Sequence, residues 1–363
     1  MEKAKISGPQ LFVLMFMFNM GTAVVVNYGI GASKDAWLAV LFGMFNGIGL
    51  FFIYHRLFLH YPELPLTGYS RKIAGKYLGW IIGLLYILYF LHITTRQVRD
   101  FSELLVSSTM TKTPLLVIVI TFVLVICYVL YLGVEVLART AQVFIAILFT
   151  FGIVANFFIL ISGNLDFQNL RPFLENGWKP IVTTTFLETT HFPYGEMVVF
   201  TMLLPYLNQR SSVKKTWLSA LILSGFVLSW TVCLNLAVLG VEVVERSTFP
   251  TLTTIGKVNL LEFIQRLDAL VVFSMMITVF FKGAIFMYGA VIGIVDLFKL
   301  KNHQQVIFPI GGIIIISAII IAPNFPAYLE EGREGLRYIV YLFFLFFPLM
   351  MLVISAIQKL IKQ

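Results

Sequence analysis

Apolar stretches of about twenty residues recur along almost the whole chain, and they constrain its fold more than any other feature. A helix needs about 20 mainly apolar residues to cross the hydrocarbon core of a bilayer. The sequence therefore predicts an all-α integral membrane protein with ten transmembrane helices. The ten segments run near 8–28, 36–54, 78–99, 114–131, 141–163, 181–206, 216–240, 267–297, 305–323 and 336–358.

The composition indicates the same class of protein. Of the 363 residues, 59% are hydrophobic and 12% are charged, whereas about a quarter of the residues of a soluble domain are charged. So little charge excludes a soluble globular enzyme, a disordered chain and a disulfide-stapled secreted domain. The net charge is +8, and we expect the basic residues that produce it to lie mainly in cytoplasmic loops, where they set the topology. No basic tract is interleaved with aromatic residues, so we expect no nucleic-acid partner.

An even number of spans places both termini on the same side of the membrane. Lys and Arg are modestly more frequent in the segments that lie inside when the N-terminus is inside, mainly in the loops 55–77 and 207–215. Because cytoplasmic loops are rich in these residues, we expect both termini to be cytoplasmic. The whole chain, 1–363, is interpreted as a single transmembrane domain.

The ten spans divide into two groups of five, which we interpret as repeats at 8–163 and 181–358. Since five is an odd number, the second group enters the membrane from the opposite side. Two related groups of this kind form an inverted repeat, the arrangement of many secondary transporters. The evidence for a repeat is positional, because the first span of each group is interrupted.

The interruptions contain residues that unwind a helix. Span one carries Asn19 and Gly21 at mid-membrane, and span six carries Thr190, Pro193 and Gly195. Pro removes a backbone donor and Gly permits other backbone angles. Matched breaks indicate a binding site at the midplane, where helix N-termini suit a carboxylate and unwound carbonyls suit an ammonium. A small zwitterion such as an amino acid fits both, although close packing at Gly21 and a plain proline kink remain alternatives.

Four ionisable residues lie within spans: Glu188, His191, Glu196 and Lys282. A charge at the bilayer centre costs about 2.5–3.5 kcal/mol on insertion scales, so these side chains are expected to face the protein interior. Glu188 and His191 are spaced to share a helix face, as a proton-linked switch or a structural hydrogen bond. For Lys282 we prefer a role in the cavity over a structural pair with Glu196 or Glu188, or snorkelling.

Two charged clusters mark span ends on the predicted outer side. One contains Arg99 and Glu103 after span three, and the other contains Arg266 and Asp268 before span eight. Ordinary anchoring at the membrane interface is the simpler interpretation, and a gate or a salt-bridge network between helices is the alternative.

Several motifs, in this order and spacing, resemble the B subunit of GerA-type spore germinant receptors. This spore germination permease family belongs to the amino acid–polyamine–organocation transporter superfamily. The resemblance covers nearly the whole chain, although Asn27 and Tyr28 stand where Pro is frequent, and Lys282 stands where uncharged residues are usual. The motifs are Asn19-Met20-Gly21-Thr22-Ala23, Arg99-Asp100-Phe101-Ser102-Glu103, Asn169-Leu170-Arg171-Pro172, Phe192-Pro193-Tyr194-Gly195-Glu196 and Phe263-Ile264-Gln265-Arg266-Leu267-Asp268.

The resemblance implies a LeuT-like, five-plus-five inverted-repeat fold in the inner membrane of a bacterial spore. It implies a receptor with an A subunit, itself a membrane protein, and a C subunit, a lipoprotein. The B subunit would bind the germinant, commonly an amino acid. The pocket carried over from the family contains Gly21, Thr22, His191, Phe192, Tyr194, Gly195, Phe281 and Lys282, to which the breaks add Asn19 and Thr190.

Two functions share this predicted pocket. The first is a receptor subunit that senses a small nutrient and triggers germination, and the alternative is an active secondary amino-acid transporter, with or without proton coupling. A structural scaffold explains neither break. An enzyme is disfavoured because no nucleophile–base set or cluster of metal ligands stands out, and we expect no cofactor.

Overall fold

The computed structural model describes residues 5–26, 28–258, 267–324, 327–328, 331 and 339–361, and this part of the protein is predominantly helical. Seven of the described helices are long and apolar enough to cross a membrane, and two shorter apolar helices accompany them. Within these residues the one β-type pairing is an isolated bridge between Ile6 and Leu207. The all-α, integral membrane class is therefore confirmed, while the count of ten spans stays a prediction.

The helices are named in chain order. Those of the first half are α1 (Gly8–Met20), α2 (Ala36–His60), α3 (Leu66–Ala74), α4 (Lys76–Ser108), α5 (Leu115–Leu132) and α6 (Val134–Ile161). Those of the second half are α7 (Trp178–Thr184), α8 (Val213–Leu239), α9 (Val241–Arg246), α10 (Pro250–Gly256), α11 (Asp268–Phe298), α12 (Gln304–Ile320) and α13 (Ile339–Ile361). Short 3₁₀ helices lie at Ile30–Asp35, Phe167–Leu170, Leu204–Tyr206 and Arg210–Ser212.

The sixth predicted span is not a regular α-helix. It begins as α7, continues as a π-helical segment at Thr185–Tyr194 and ends as a 3₁₀ segment at Gly195–Met202. These three segments together are called the broken helix below. Its irregular hydrogen bonding is located where the sequence predicts an interruption.

The start and the end of α1 follow from its sequence. The Ser7 hydroxyl accepts a hydrogen bond from the Gln10 N–H, and the Gln10 side chain accepts one from the Ser7 N–H at 2.8 Å. This capping box satisfies backbone donors that a helix start leaves unpaired. The helix ends at Met20 because Gly21 adopts φ +34° and ψ −131°, which is not a helical conformation. Span one is therefore broken, as predicted.

Helices α2, α4 and α6 extend well beyond the predicted spans, α2 as far as His60. Helix α4 continues to Ser108 instead of ending near residue 99, and a largely buried ion pair of 2.6 Å joins Arg99 and Glu103 within this extension. Helix α6 begins at Val134, directly after Gly133 at φ +104°, where a loop over 132–140 is predicted. Glycine suits this turn because its positive φ is unfavourable for other residues.

Helix α11 lies at the centre of the bundle and carries Lys282. Of its apolar stretch, 72% is buried inside the protein, compared with 6% for α6. Glycines let neighbouring helices approach α11 closely, since a Cβ on Gly289 would lie 2.7 Å from Val199 and one on Gly293 would lie 2.8 Å from Ile87. Small residues at contacts are typical of helix packing in membranes.

Candidate functional site

The break after α1 is shaped around Gly21. Its carbonyl accepts a hydrogen bond of 2.8 Å from the Thr278 hydroxyl of α11. A Cβ at Gly21 would overlap the Lys282 side chain and would lie 3.3 Å from its Nζ. Both the positive φ and this contact require glycine at position 21. The first break and the Lys282 side chain are therefore packed directly against each other.

The break in the broken helix is located at Phe192. This residue is extended, with φ −115° and ψ 122°, and the Phe192–Pro193 peptide is cis. The preceding turns are tied to α2, because Thr189 donates to the Ala39 carbonyl at 2.6 Å. Asn46 of α2 donates to the Thr190 hydroxyl at 2.8 Å. Helix α2 therefore holds the segment in which helical geometry is lost.

An ion pair between Lys282 and Glu196 joins the two breaks. The Lys282 Nζ lies 2.6 Å from Glu196 Oε2, and 0% and 6% of the two side chains are exposed. The same ammonium lies 4.2 Å from the ring centroid of Phe192 and 5.3 Å from that of Phe18. Of the alternatives given for Lys282, the structure shows the ion pair with Glu196. Because Nζ is buried, the side chain does not snorkel to the membrane surface.

The electrostatics of this pair make each charge dependent on the other. Removing one member of a buried ion pair costs about 3–5 kcal/mol, because an uncompensated charge is left in a medium of low dielectric constant. Aromatic faces add attraction for the cation, at about 0.5–2 kcal/mol per ring. The ion pair between the breaks, called the centre below, therefore has no net charge. It needs one ammonium and one carboxylate together.

The remaining predicted pocket residues lie around the pair or face other helices. Asn19 donates to Ser224 of α8 at 2.8 Å, and Thr22 is buried. Tyr194 is buried against Gly47 of α2. Two further residues of the predicted pocket, Gly195 and Phe281, have partners away from the ion pair.

Gly195 and Phe281 contact residues of α2 and α6, respectively. The Gly195 carbonyl accepts from the Tyr54 hydroxyl at 3.4 Å. Although it is adjacent to Lys282 in the chain, Phe281 packs its ring 6.1 Å from that of Phe144 on α6. Whether these residues contact a ligand stays a prediction.

Glu188 and His191 lie close to residues outside the broken helix. The His191 ring is nearly parallel to that of Phe344, with centroids 6.4 Å apart. Glu188 lies close to Gly31, since a Cβ added to Gly31 would be 3.3 Å from Glu188 Oε1. Both residues are half-buried and lie in the π-helical segment, and their role as a proton-linked switch or a structural hydrogen bond stays a prediction.

Comparison with known proteins identifies the family. A family model described as "Spore germination protein" matches residues 5–326. The chain is 38% identical to spore germination protein KB of Bacillus subtilis (strain 168) over 99% of this chain and 96% of that protein. The chain belongs to the spore germination protein family. Spore germination protein YndE of the same organism is 25% identical over 93% of this chain and 95% of its own.

Solved structures show which fold this family member has. The Mhp1 transporter of the nucleobase-cation-symport-1 family, closed around bromovinylhydantoin, matches with a TM-score of 0.70 at 13% identity, over 93% of this chain and 76% of its own. MhsT in complex with L-phenylalanine matches with a TM-score of 0.70 at 14% identity, over 94% and 87%. The LeuT-like fold with a broken first and sixth helix is thereby confirmed.

Four residues of this family member build the centre but are not predicted from the sequence to belong to it: Phe18, Tyr28, Asn46 and Thr278. Helical spacing contains a signal for two of them, because Phe18 lies three residues before Gly21 and Thr278 lies four before Lys282. Tyr28 meets the Phe192 ring edge-on, with centroids 5.7 Å apart. Tyr28 and Asn46 follow only from the path of the chain, which no local pattern encodes.

The charged cluster of α4 ties this helix to the next elements. Arg99 pairs with Glu103 and donates to the Ala318 carbonyl of α12 at 2.9 Å. Three residues earlier, Arg96 lies 2.6 Å from Glu331. Asp268 begins α11, whereas Arg266 lies outside the described residues. In the described part, the Arg99–Glu103 pair lies within α4, and the Arg96–Glu331 pair is part of a network that links α4 to a residue after α12.

A second part of the same network involves Tyr328. Its hydroxyl donates to Asp100 at 2.6 Å, and its ring lies 4.4 Å from the Arg96 guanidinium. The network therefore fastens the residues after α12 onto α4.

Two cavities lie away from the ion pair. An apolar one of about 660 Å³ lies between α1, α6, α8 and α11 and contacts Met20 and Val24 of the first break. A more polar one of about 560 Å³ is lined by Asp296, Lys299 and His303. Among the described residues, no group of three His, Cys, Asp or Glu side chains is placed to hold a metal ion.

Proposed function

We propose that this protein is the ligand-binding membrane subunit of a spore germinant receptor. It senses a small nutrient, an amino acid, at the midplane between the two breaks. The observation that carries the proposal is the buried Lys282–Glu196 pair between unwound segments. Family membership and a fold shared with transporters of small molecules support it.

A receptor signals when its ligand binds one of two conformations more tightly than the other. The breaks are joined to two surrounding helices by hydrogen bonds, from Thr278 of α11 to Gly21, and from Asn46 and Tyr54 of α2 to Thr190 and Gly195. A ligand that rearranges either break changes these bonds. Binding is thereby coupled to the positions of α11 and α2.

The proposal extends to the cellular setting. The subunit lies in the inner membrane of the spore with both termini on the core side, and it assembles with the receptor's A subunit and its C subunit, a lipoprotein. The excess of Lys and Arg in the inside loops supports this orientation. Helix α6 offers a broad exposed apolar face, since 6% of its apolar stretch is buried, and such a face suits lipid or another membrane subunit.

A binding screen tests the ligand-binding role. The purified full chain in lipid nanodiscs is heated with common L-amino acids, sugars and nucleosides, and the shift in unfolding temperature is recorded. We expect stabilisation by at least one small nutrient, because a ligand that binds only the folded state raises its stability. If no compound of the panel stabilises or binds the chain, the proposed function is wrong.

Gly21→Leu locates the binding site. The leucine side chain would fill the space beside Lys282 and would strain a residue at φ +34°, so we expect the ligand concentration for half-maximal response to rise about tenfold or more. Gly49→Leu is the matched control, because nothing lies within 4 Å of a Cβ there. An unchanged dose response in well-expressed Gly21→Leu protein would remove Gly21 from the site.

A further inference from the structure

The space between the two breaks is occupied by the protein's own side chain. Lys282 passes directly beside Gly21 and ends against Glu196, with the Phe192 and Phe18 rings near its ammonium. A ligand that binds between the breaks must therefore displace Lys282 from its present position. The chemistry of that displacement restricts which ligands can bind.

Separating the pair is unfavourable unless the ligand replaces both partners. Leaving one buried charge uncompensated weakens a bound state by a factor on the order of 100 or more. A neutral ligand, such as a sugar, replaces neither partner. A ligand with a single charge replaces one partner and leaves the other charge alone. A zwitterion supplies an ammonium and a carboxylate together and keeps the centre neutral.

We propose that ligand binding is an ion-pair exchange. The ligand's ammonium takes the place of the Lys282 ammonium beside Glu196, and the released Lys282 ammonium binds the ligand's carboxylate. Glu196 and Lys282 are thus the two residues that determine specificity for a zwitterion, each for one of its charges. The inference rests on the proposed function, because it requires a ligand at the breaks.

The geometry favours movement of Lys282 over movement of Glu196. A lysine ammonium sits on a flexible four-carbon stem, whereas Glu196 is held at the start of the 3₁₀ segment, directly after the break. The missing side chain of Gly21 is what lets the lysine stem pass here, since a Cβ there would overlap Lys282 Cδ. Rotation about this stem can turn the ammonium toward the carboxylate of a ligand.

The aromatic rings suit the exchange as well. Phe192 and Phe18 present their faces to the position that Lys282 Nζ now occupies. An aromatic face attracts any ammonium at this distance. The ligand's amino group would therefore meet the same favourable surroundings as the lysine that it replaces.

The first arm of the test uses ligand analogues and the wild-type chain. Purified protein in nanodiscs is titrated with the common L-amino acids, and each one that binds is compared with its C-terminal amide and its N-acetyl derivative. The amide keeps the ammonium alone, and the N-acetyl derivative keeps the carboxylate alone. We expect each derivative to bind on the order of 100-fold more weakly than the amino acid.

The second arm uses two variants that reverse the preference. In Glu196→Gln, Lys282 keeps its charge, and we expect the N-acetyl derivative to gain on the amino acid by about tenfold or more. In Lys282→Met, Glu196 keeps its charge, and we expect the amide to gain similarly. The double variant should lose the preference for the zwitterion. Arg139→Met and Glu135→Gln are matched controls, since this ion pair lies on the outer surface of α6.

The outcomes separate this inference from the proposed function. Equal binding of an amino acid and its two derivatives to wild-type protein overturns the exchange. So does a parallel loss of all three in both single variants, which is the pattern of a purely structural pair. Binding of a sugar or nucleoside alone overturns the exchange and leaves the receptor role intact. If a single variant fails to fold, the wild-type analogue series and the double variant still decide.

Discussion

At the scale of single residues, the centre depends on contacts between side chains and exposed backbone atoms. The Gly21 carbonyl lies outside a regular helix, and it is satisfied by Thr278, whose hydroxyl also contacts the Ser274 carbonyl of its own helix at 2.9 Å. Thr278 lies one turn from Lys282. Helix α11 thus supplies both the charge at the centre and the bond that holds the first break.

Thr278→Val tests this bond at nearly constant side-chain size. The substitution leaves a buried carbonyl without its donor, so we expect the free energy of unfolding to fall by about 1–3 kcal/mol. We also expect ligand binding to weaken, because the first break loses its tie to α11. Thr121→Val is the control, since the exposed Thr121 hydroxyl donates to the Val117 carbonyl of its own helix. Equal unfolding temperatures for the two variants would contradict a role for the Gly21 bond.

The sequence identifies some residues of the centre and misses others for a physical reason. Gly21 and Lys282 stand out because a glycine at mid-span and a charge in lipid are both costly. The choice of Glu196 over Glu188 as the partner of Lys282 is invisible in the sequence. It depends on the direction of the chain after the extended residue Phe192, which is set by packing.

At the scale of elements, a third irregular segment faces the broken helix. Helix α13 contains a π-helical turn at Leu342–Phe346. The Phe344 carbonyl accepts from Tyr54 at 2.6 Å, and the Phe343 carbonyl accepts from Tyr86 at 2.5 Å. Buried carbonyls require partners, and here two tyrosines of α2 and α4 provide them. Tyr54 also reaches Gly195, so it connects α13 to the broken helix.

Tyr54→Phe tests the connection between these elements. Loss of the hydroxyl leaves the Phe344 carbonyl without this donor in a buried position, and we expect a loss of about 1–3 kcal/mol in stability. The measurement is thermal unfolding of the purified protein in detergent. Tyr128→Phe serves as the control because 61% of that residue is exposed on α5. A Tyr54 variant as stable as the control would show that the bond from Tyr54 does not stabilise α13.

Hydropathy predicts the long elements well and the short ones poorly. Spans are recognised because lipid demands a continuous apolar length, as in α5 and α8. Helices α3, α9 and α10 have six to nine residues each and lie in connections where no such demand applies. The π-helical turn in α13 contains neither Pro nor Gly, so no local breaker announces it.

At the scale of the whole molecule, polar contacts fasten both ends of the bundle. At one end Arg71 pairs with Asp296 at 2.6 Å, and Arg210 pairs with Glu63. At the other end, where α2 begins, Lys34 pairs with Glu175 at 2.6 Å. The central ion pair lies between these ends, and its two side chains are almost completely buried. The two five-helix repeats predicted from the sequence remain a prediction.

A liposome assay distinguishes a receptor from a transporter that has the same fold. A transporter must open its two ends in alternation and couple that movement to an ion gradient, whereas a receptor needs only two states that differ in ligand affinity. We therefore expect proteoliposomes of this chain to bind a radiolabelled amino-acid ligand without accumulating it, under either a proton or a sodium gradient. A sodium-coupled amino-acid transporter in the same lipids is the positive control. Accumulation that collapses when the gradient is dissipated would establish the transporter alternative, because binding alone does not respond to a gradient across the membrane.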